Sequence, residues 1–223
     1  MSPDFSPSSP TAPGRLPALI LASTSVYRRE LLTRLRLPFS VVSPHVDETP
    51  QPGESPAALS ERLALAKARV VSATHPHAVV IGSDQVAELD GQSIGKPGDH
   101  ARAVAQLQAM RGRSVLFHTS VAVLRHDTAF EAVRRVPVRV RFRSLSDVEI
   151  ETYLHAEQPY DCAGSAKCET LGITLLEAIE SDDPTALVGL PLIVTSALLR
   201  AAGVDPLAQL AHLAHLAGQG GGA

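Results

Sequence analysis

Between residue 18 and about residue 210, the apolar residues switch repeatedly between a period of two and a period near 3.6. No other feature constrains the fold as much, because this alternation commits the chain to interleaved strands and helices. Ala18–Ala22 reads as a buried strand. Tyr27, Leu31 and Leu35 then recur at i, i+4 and i+8, which predicts a helix over 26–36 with Ser25 as its N-cap. The run PFSVVSP reads as a second strand. Ser55-Pro56 opens a longer helix, with Pro at its permitted first position and a buried stripe expected at Leu59, Leu63, Ala66 and Val70.

Two hairpins interrupt this βα rhythm. Val79–Leu89 is strand-like, Asp90-Gly91 is a strong turn signal, and Ser93–Lys96 makes a short return. Asp99 caps a helix that runs to Met110 and stops at Gly112. Val115–Leu124 then goes out and VRRVPVRVRFRSL comes back with strict alternation. Val136, Val138, Val140 and Phe142 share one face of that return strand, and Arg139, Arg141 and Arg143 share the other. Ser146 and Glu149 form a capping box that opens a helix to about Ala156. GITLLEAIES reads as a strand, DDPT as a turn, and Pro191–Ala202 as a final helix closed by Gly203. Hairpins force antiparallel pairs, so the expected class is α/β with a mixed sheet and flanking helices.

The 223 residues suit one domain, or one domain with two lobes. With 44% hydrophobic residues, 4% aromatics and no Trp, the core must be built mainly from Leu, Val, Ala and Ile. A net charge of −3 argues against a broad surface for nucleic acid or membrane. Cys162 and Cys168 match no common zinc spacing and read as reduced, partly buried thiols. His212 and His215 read as incidental. Residues 1–17 are rich in Pro and Ser and lack the apolar core of a signal peptide, so a disordered leader is expected. A folded domain over 18–210 follows, then a flexible tail over 211–223 ending GQGGGA. No stretch reaches the ~18 consecutive apolar residues of a membrane span, and a cytoplasmic location is expected.

Several polar residues stand where apolar or oppositely charged ones would be more comfortable. Arg28 and Arg29 occupy a helix first turn, where the amide dipoles already leave positive charge. Either both are solvated, or they serve a bound anion with the free N–H groups of Ser23-Thr24-Ser25, and phosphate is the favoured anion. The Gly-rich Walker pattern is missing, so this is no P-loop. Asp84 interrupts an otherwise buried strand. It is either a strand-end carboxylate bonded to backbone amides, or a metal ligand or general base on a rigid element. Lys96, held extended by Pro97, returns toward Asp84. Asp47 and Glu48 are solvated, or with Asp84 they hold a hard cation such as Mg²⁺. Lys67 borders its helix's apolar stripe, where snorkelling is the plain account. The arginines at 139, 141 and 143 suit a solvated sheet face as well as a nucleic-acid stripe.

The segments LASTSVYRRELL, VDET, ERLALAKAR, IGSDQVAELDGQSIGKP and AGSAKCETLGITLLEAIESDDPTALVGLPL occur in that order. Together they resemble the Maf nucleotide pyrophosphatases over about residues 18–203. The resemblance implies an elongated α/β architecture with a cleft between two lobes. It also implies hydrolysis of nucleoside triphosphates to monophosphate and pyrophosphate, assisted by Mg²⁺ or Mn²⁺. Carried over by position, Asp84 matches the family's proton acceptor, and Ser23, Arg28, Glu48, Lys67 and Lys96 match its other polar site positions. Glu48 and Asp84 are the implied metal ligands, and Arg28, Lys67 and Lys96 the implied catalytic cations. Val26 departs from the family's usual Pro, which affects preorganisation of the helix start and no chemistry.

Three further positions sort the family by base. Tyr27, Gln85 and Glu169 resemble the branch acting on 7-methyl-GTP, whose methylated guanine carries a positive charge. Tyr27 would stack on that ring, Glu169 would accept from the guanine N1–H and N2–H₂ edge, and Gln85 would bond the base or orient a neighbour. The expected partners are a nucleoside triphosphate substrate and a second copy in a homodimer, without stable nucleic acid or membrane. A dTTP/UTP pyrophosphatase of the same family and a nucleotide-sensing regulator of cell division are the alternatives.

Overall fold

Ala18–Ala22 has four consecutive apolar residues after its first, and Leu19–Ala22 becomes a fully buried central strand, β1. The computed structural model describes residues 17–211, so most of the expected leader and tail, with His212 and His215, lies outside the described residues. Ser25 accepts from the Arg28 amide and starts α1 (Val26–Thr33), which ends three residues before the expected 36. There follow β2 (Ser40–Val42), α2 (Pro56–Thr74), β3 (Val79–Leu89) and β4 (Gln92–Ile94). Next come α3 (His100–Met110), β5 (Ser114–Arg125), β6 (Phe130–Phe142) and α4 (Asp147–Glu157). Then come β7 (Leu176–Glu180) and α5 (Leu192–Ala201). β7 is shorter than GITLLEAIES promised, because Leu171–Leu175 winds as a 3₁₀ turn before the chain extends.

Seven strands among the described residues form one sheet in the order β2-β1-β3-β5-β6-β7, with β4 paired to β3. β1 runs parallel to β2 and β3, and the remaining pairs are antiparallel, which makes the sheet mixed. Asp90 and Gly91 both take positive φ, 54° and 76°, the geometry that a two-residue hairpin turn requires. The expected face of β6 is buried at Val136, Val138, Val140 and Phe142. Its arginines face outward, with Arg139 and Arg141 near Glu180 and Glu177 of β7, and Arg143 on Glu149 of α4. No helix among the described residues is long and apolar enough to cross a membrane.

The long strands β3, β5 and β6 carry separate apolar clusters toward their two ends. One packs Ala87, Phe117 and Val138 against α3 and α4. The other packs Val79, Ile81 and Val121 against α1 and α5. Between them the same strands turn polar: Ser83 and Asp84 on β3, and His118, Thr119 and Ser120 on β5, are all buried. The register sets Asp84 opposite Ser120 and Gln85 opposite Thr119. This polar waist is where the cleft opens.

Candidate active site

Gly82 determines how closely α2 lies on the waist. A Cβ there would stand 2.2 Å from the Ala64 carbonyl oxygen and 2.7 Å from the Ala68 nitrogen, so only glycine permits this approach. The helix buries Leu59, Leu63 and Val71, and Lys67 occupies the same phase of that stripe. Val70, expected inside, is 47% exposed, because the stripe runs one residue further round than its apolar pattern indicated. The cause is Lys67 itself, a polar residue on the buried face. Its Nζ donates to Asp84 Oδ1 at 2.7 Å and lies 2.6 Å from Glu48 Oε1. Lys67 therefore does not snorkel; its ammonium ends inside the protein, between two carboxylates. Asp84 is in the interior of β3 rather than at its end.

Successive residues of a strand point to opposite sides. Asp84 faces α2, whereas Ser83 and Gln85 face the 186–189 turn. Ser83 Oγ donates to the Gly189 carbonyl at 2.9 Å, and Arg28 Nε donates to the same oxygen at 2.9 Å. Gly189 holds φ at 116°, a conformation that favours glycine, and so carries Arg28 into the cleft. The Gln85 amide nitrogen donates to Thr119 Oγ1 and to the carbonyls of Ala186 and Leu187 at 2.9–3.1 Å. Ser23 is buried, and its Oγ accepts from the Ser25 amide. Arg29 is exposed, so only one of the two first-turn cations serves the cleft.

These elements enclose a cavity of about 620 Å³. Ser23, Tyr27, Arg28, Glu48, Lys67, Asp84, Gln85, Lys96 and Glu169 all line it, so the structure gathers the nine residues that the family resemblance implied. Asp47 is not among them; its carboxylate accepts from the Thr49 amide at 2.9 Å and turns the loop. Lys96 lies beyond β4 on the rim and makes no ion pair with Asp84, although its charge reaches Glu48. Burial alone would raise the pKa of Glu48. The Lys67 hydrogen bond and the charges of Lys67, Lys96 and Arg28 instead bring it below its ordinary value. Burial draws the Arg28 guanidinium down and the fields of Asp84 and Glu48 oppose that, but a guanidinium stays charged throughout.

The far wall contains residues that the sequence did not single out. Asp161 Oδ2 accepts from the Tyr27 hydroxyl at 3.5 Å, and Lys167 Nζ lies 6.0 Å from the Tyr27 ring centre. Thr119 and the carbonyls of residues 186 and 187 were also missed, and they aim Gln85. Backbone acceptors leave no trace in residue identity, so only Asp161 and Lys167, as charges in a loop, offered any signal. Cys162 and Cys168 are free thiols, each pushed up to about 12 by burial, then by a neighbouring carboxylate. The donor chemistry fits a hard divalent cation, because Glu48 and Asp84 supply carboxylate oxygens that converge on one point of positive charge, the Lys67 ammonium.

A model of the Maf-like protein family matches residues 18–202. The chain belongs to this family. Three relatives of the Maf-like chain are named 7-methyl-GTP pyrophosphatase. That of Polaromonas sp. is 67% identical over 186 residues, covering 83% of this chain and 85% of the relative. That of Albidiferax ferrireducens is 64% identical, covering 85% and 95%. That of Burkholderia thailandensis is 63% identical, covering 84% and 89%. The Maf-like match thus spans β1 to α5 and takes in both walls of the cleft.

Proposed function

We propose that this Maf-like protein hydrolyses 7-methyl-GTP to 7-methyl-GMP and pyrophosphate, removing a modified nucleotide in the cytoplasm. One observation carries the reading: a single cavity holds three cations and two convergent carboxylates beside an aromatic and acidic wall. A triphosphate is the ligand that needs the first group, and a cationic purine the second.

Asp84 is the proton acceptor. The Lys67 ammonium donates to its Oδ1 and aims it, so that it takes a proton from the water attacking a phosphorus of the triphosphate chain. Arg28, braced by Gly189, and Lys96, on the rim, neutralise charge that develops on the departing pyrophosphate. The free amides at the start of α1, with Ser23, add donors for phosphate oxygens. A divalent cation held by Glu48 and Asp84 would supply Lewis-acid charge at those oxygens. At the other end Tyr27 stacks on the methylated guanine and Glu169 accepts from its N1–H and N2–H₂ edge. Gln85 spends both amide protons on protein acceptors, so it orients the 186–189 turn and offers the base only its carbonyl oxygen.

The test is pyrophosphate release from 7-methyl-GTP, GTP, dTTP and UTP with Mg²⁺ or Mn²⁺. The expected result is a strong preference for 7-methyl-GTP that disappears in Asp84→Ala. Preference for dTTP or UTP would overturn the reading of the base wall and leave the phosphate end standing. Absence of turnover by well-folded protein would overturn both.

A further inference from the structure

Outside the cleft, one group of side chains has a chemistry that the reaction does not use. His100 opens α3, and Glu151 and His155 lie one turn apart on α4, which packs against it. His100 Nε2 is 2.8 Å from Glu151 Oε2, and His155 Nε2 is 3.6 Å from that same oxygen. The two imidazoles stack with centroids 4.9 Å apart. All three ligand atoms lie within 4.8 Å of one another, and among the described residues this is the one such group of three. Ligand atoms around a tetrahedral ion with metal–nitrogen bonds near 2.0–2.1 Å stand about 3.3 Å apart, so side-chain adjustment alone would close the sphere.

A second observation concerns orientation. His100 Nδ1 is already engaged by the Tyr160 hydroxyl at 2.9 Å, which leaves Nε2 as the nitrogen turned toward Glu151. A hydrogen bond to the non-ligating nitrogen is how metal-binding imidazoles are held in place. Glu151 is about half exposed and His155 largely so, which leaves room for water to complete the coordination.

We infer that His100, Glu151 and His155 form a binding site for a borderline divalent transition metal such as Zn²⁺, Co²⁺ or Ni²⁺. Two imidazoles select these ions over Mg²⁺, which prefers the all-oxygen donors of the cleft. Its place in the fold makes it a staple rather than a catalytic centre. Tyr160 accepts from the Gly98 amide through its carbonyl, and its neighbour Asp161 touches Tyr27. An ion here ties the start of α3 to α4 immediately behind the strap that carries Lys96.

The test is titration of the full chain with Co²⁺, reading bound metal by equilibrium dialysis and the visible d–d bands. Wild type is expected to bind one equivalent more than His155→Ala and Glu151→Gln, with the intense bands of four-coordinate Co²⁺ lost in both variants and retained in Asp84→Asn. Both substituted side chains are at the surface, and thermal melts check that the variants remain folded. Equal stoichiometry in wild type and the two variants would overturn the site. So would bands that persist in His155→Ala but vanish in Asp84→Asn, because the metal would then belong to the cleft.

Discussion

Asp84 and Gln85 are neighbours on one strand, yet the two faces of β3 that they occupy are built by opposite means. The Asp84 face is held by charge: a buried ammonium from α2 lies between two carboxylates. The Gln85 face is held by neutral hydrogen bonds to a threonine and to backbone carbonyls of the 186–189 turn. A buried ion pair tolerates little change, since removing one partner strands the other charge. An amide bonded to carbonyls can be replaced or re-aimed at the smaller cost of ordinary hydrogen bonds. In the proposed reading, this difference puts chemistry and the wall nearest the base one residue apart along a single strand.

The sharpest way to break that comparison is Asp84→Asn, which keeps the shape and removes the proposed base. Turnover is expected to fall by ~10²–10⁴, the usual worth of a positioned general base. Lys67 keeps Glu48 as a partner, so a thermal melt is expected to show a folded protein. Gly82→Ala attacks the same face from behind. Its Cβ would meet the Ala64 carbonyl oxygen at 2.2 Å, so α2 must move off β3. Overpacking of this kind is expected to destabilise by about 1–3 kcal/mol in urea unfolding. Because Lys67 moves with the helix, kcat is expected to fall while KM for nucleotide changes less.

The charged face was the more legible of the two. Asp84 is an anomaly in an apolar strand, and an ionisable residue where a period demands Val or Leu is visible in one dimension, whereas Lys67 read only as bordering its stripe and gained a site role from the family resemblance. The mixed sheet was legible for the same reason, since the hairpin at Asp90-Gly91 and the alternation of Val136 to Phe142 are local. Val70 marks where this failed: its apolar character suggested burial, but tertiary contact rotated α2 so that Lys67 and Val71 turned inward instead. The Gln85 face depends on the Ala186, Leu187 and Gly189 carbonyls, about a hundred residues away in sequence. No residue identity announces a carbonyl.

Glu169→Gln sharpens the comparison at the base end. Glu169 lines the cavity opposite the charged face and is exposed, so its effect is expected to be moderate. Loss of an anionic acceptor for the guanine edge should lower kcat/KM for 7-methyl-GTP about tenfold, the equivalent of ~1.4 kcal/mol. UTP turnover should stay level, so steady-state kinetics on the two substrates should show their ratio collapsing.

The smallest effect is expected where the charged face meets its surface support. Arg62 of α2 grips Glu54 with two hydrogen bonds, 2.6 and 2.8 Å, and donates to the Thr49 carbonyl at 3.1 Å, fastening the loop that carries Glu48. The Arg62 bond, joined by the Gln51 amide, pulls the Glu54 pKa from 4.5 down to about 2. A carboxyl group whose folded pKa is depressed stabilises the fold fully above its unfolded value and loses that contribution as pH falls through the folded one. Glu54→Gln should therefore melt slightly below wild type at neutral pH, and the gap should begin to close below pH 4.5 and vanish toward about pH 2. The absence of any gap in Tm from pH 7 to 3 would show that the loop is held by its backbone alone. In that case Glu48 would owe its place entirely to Lys67, and the charged face would need no support beyond its own buried ammonium.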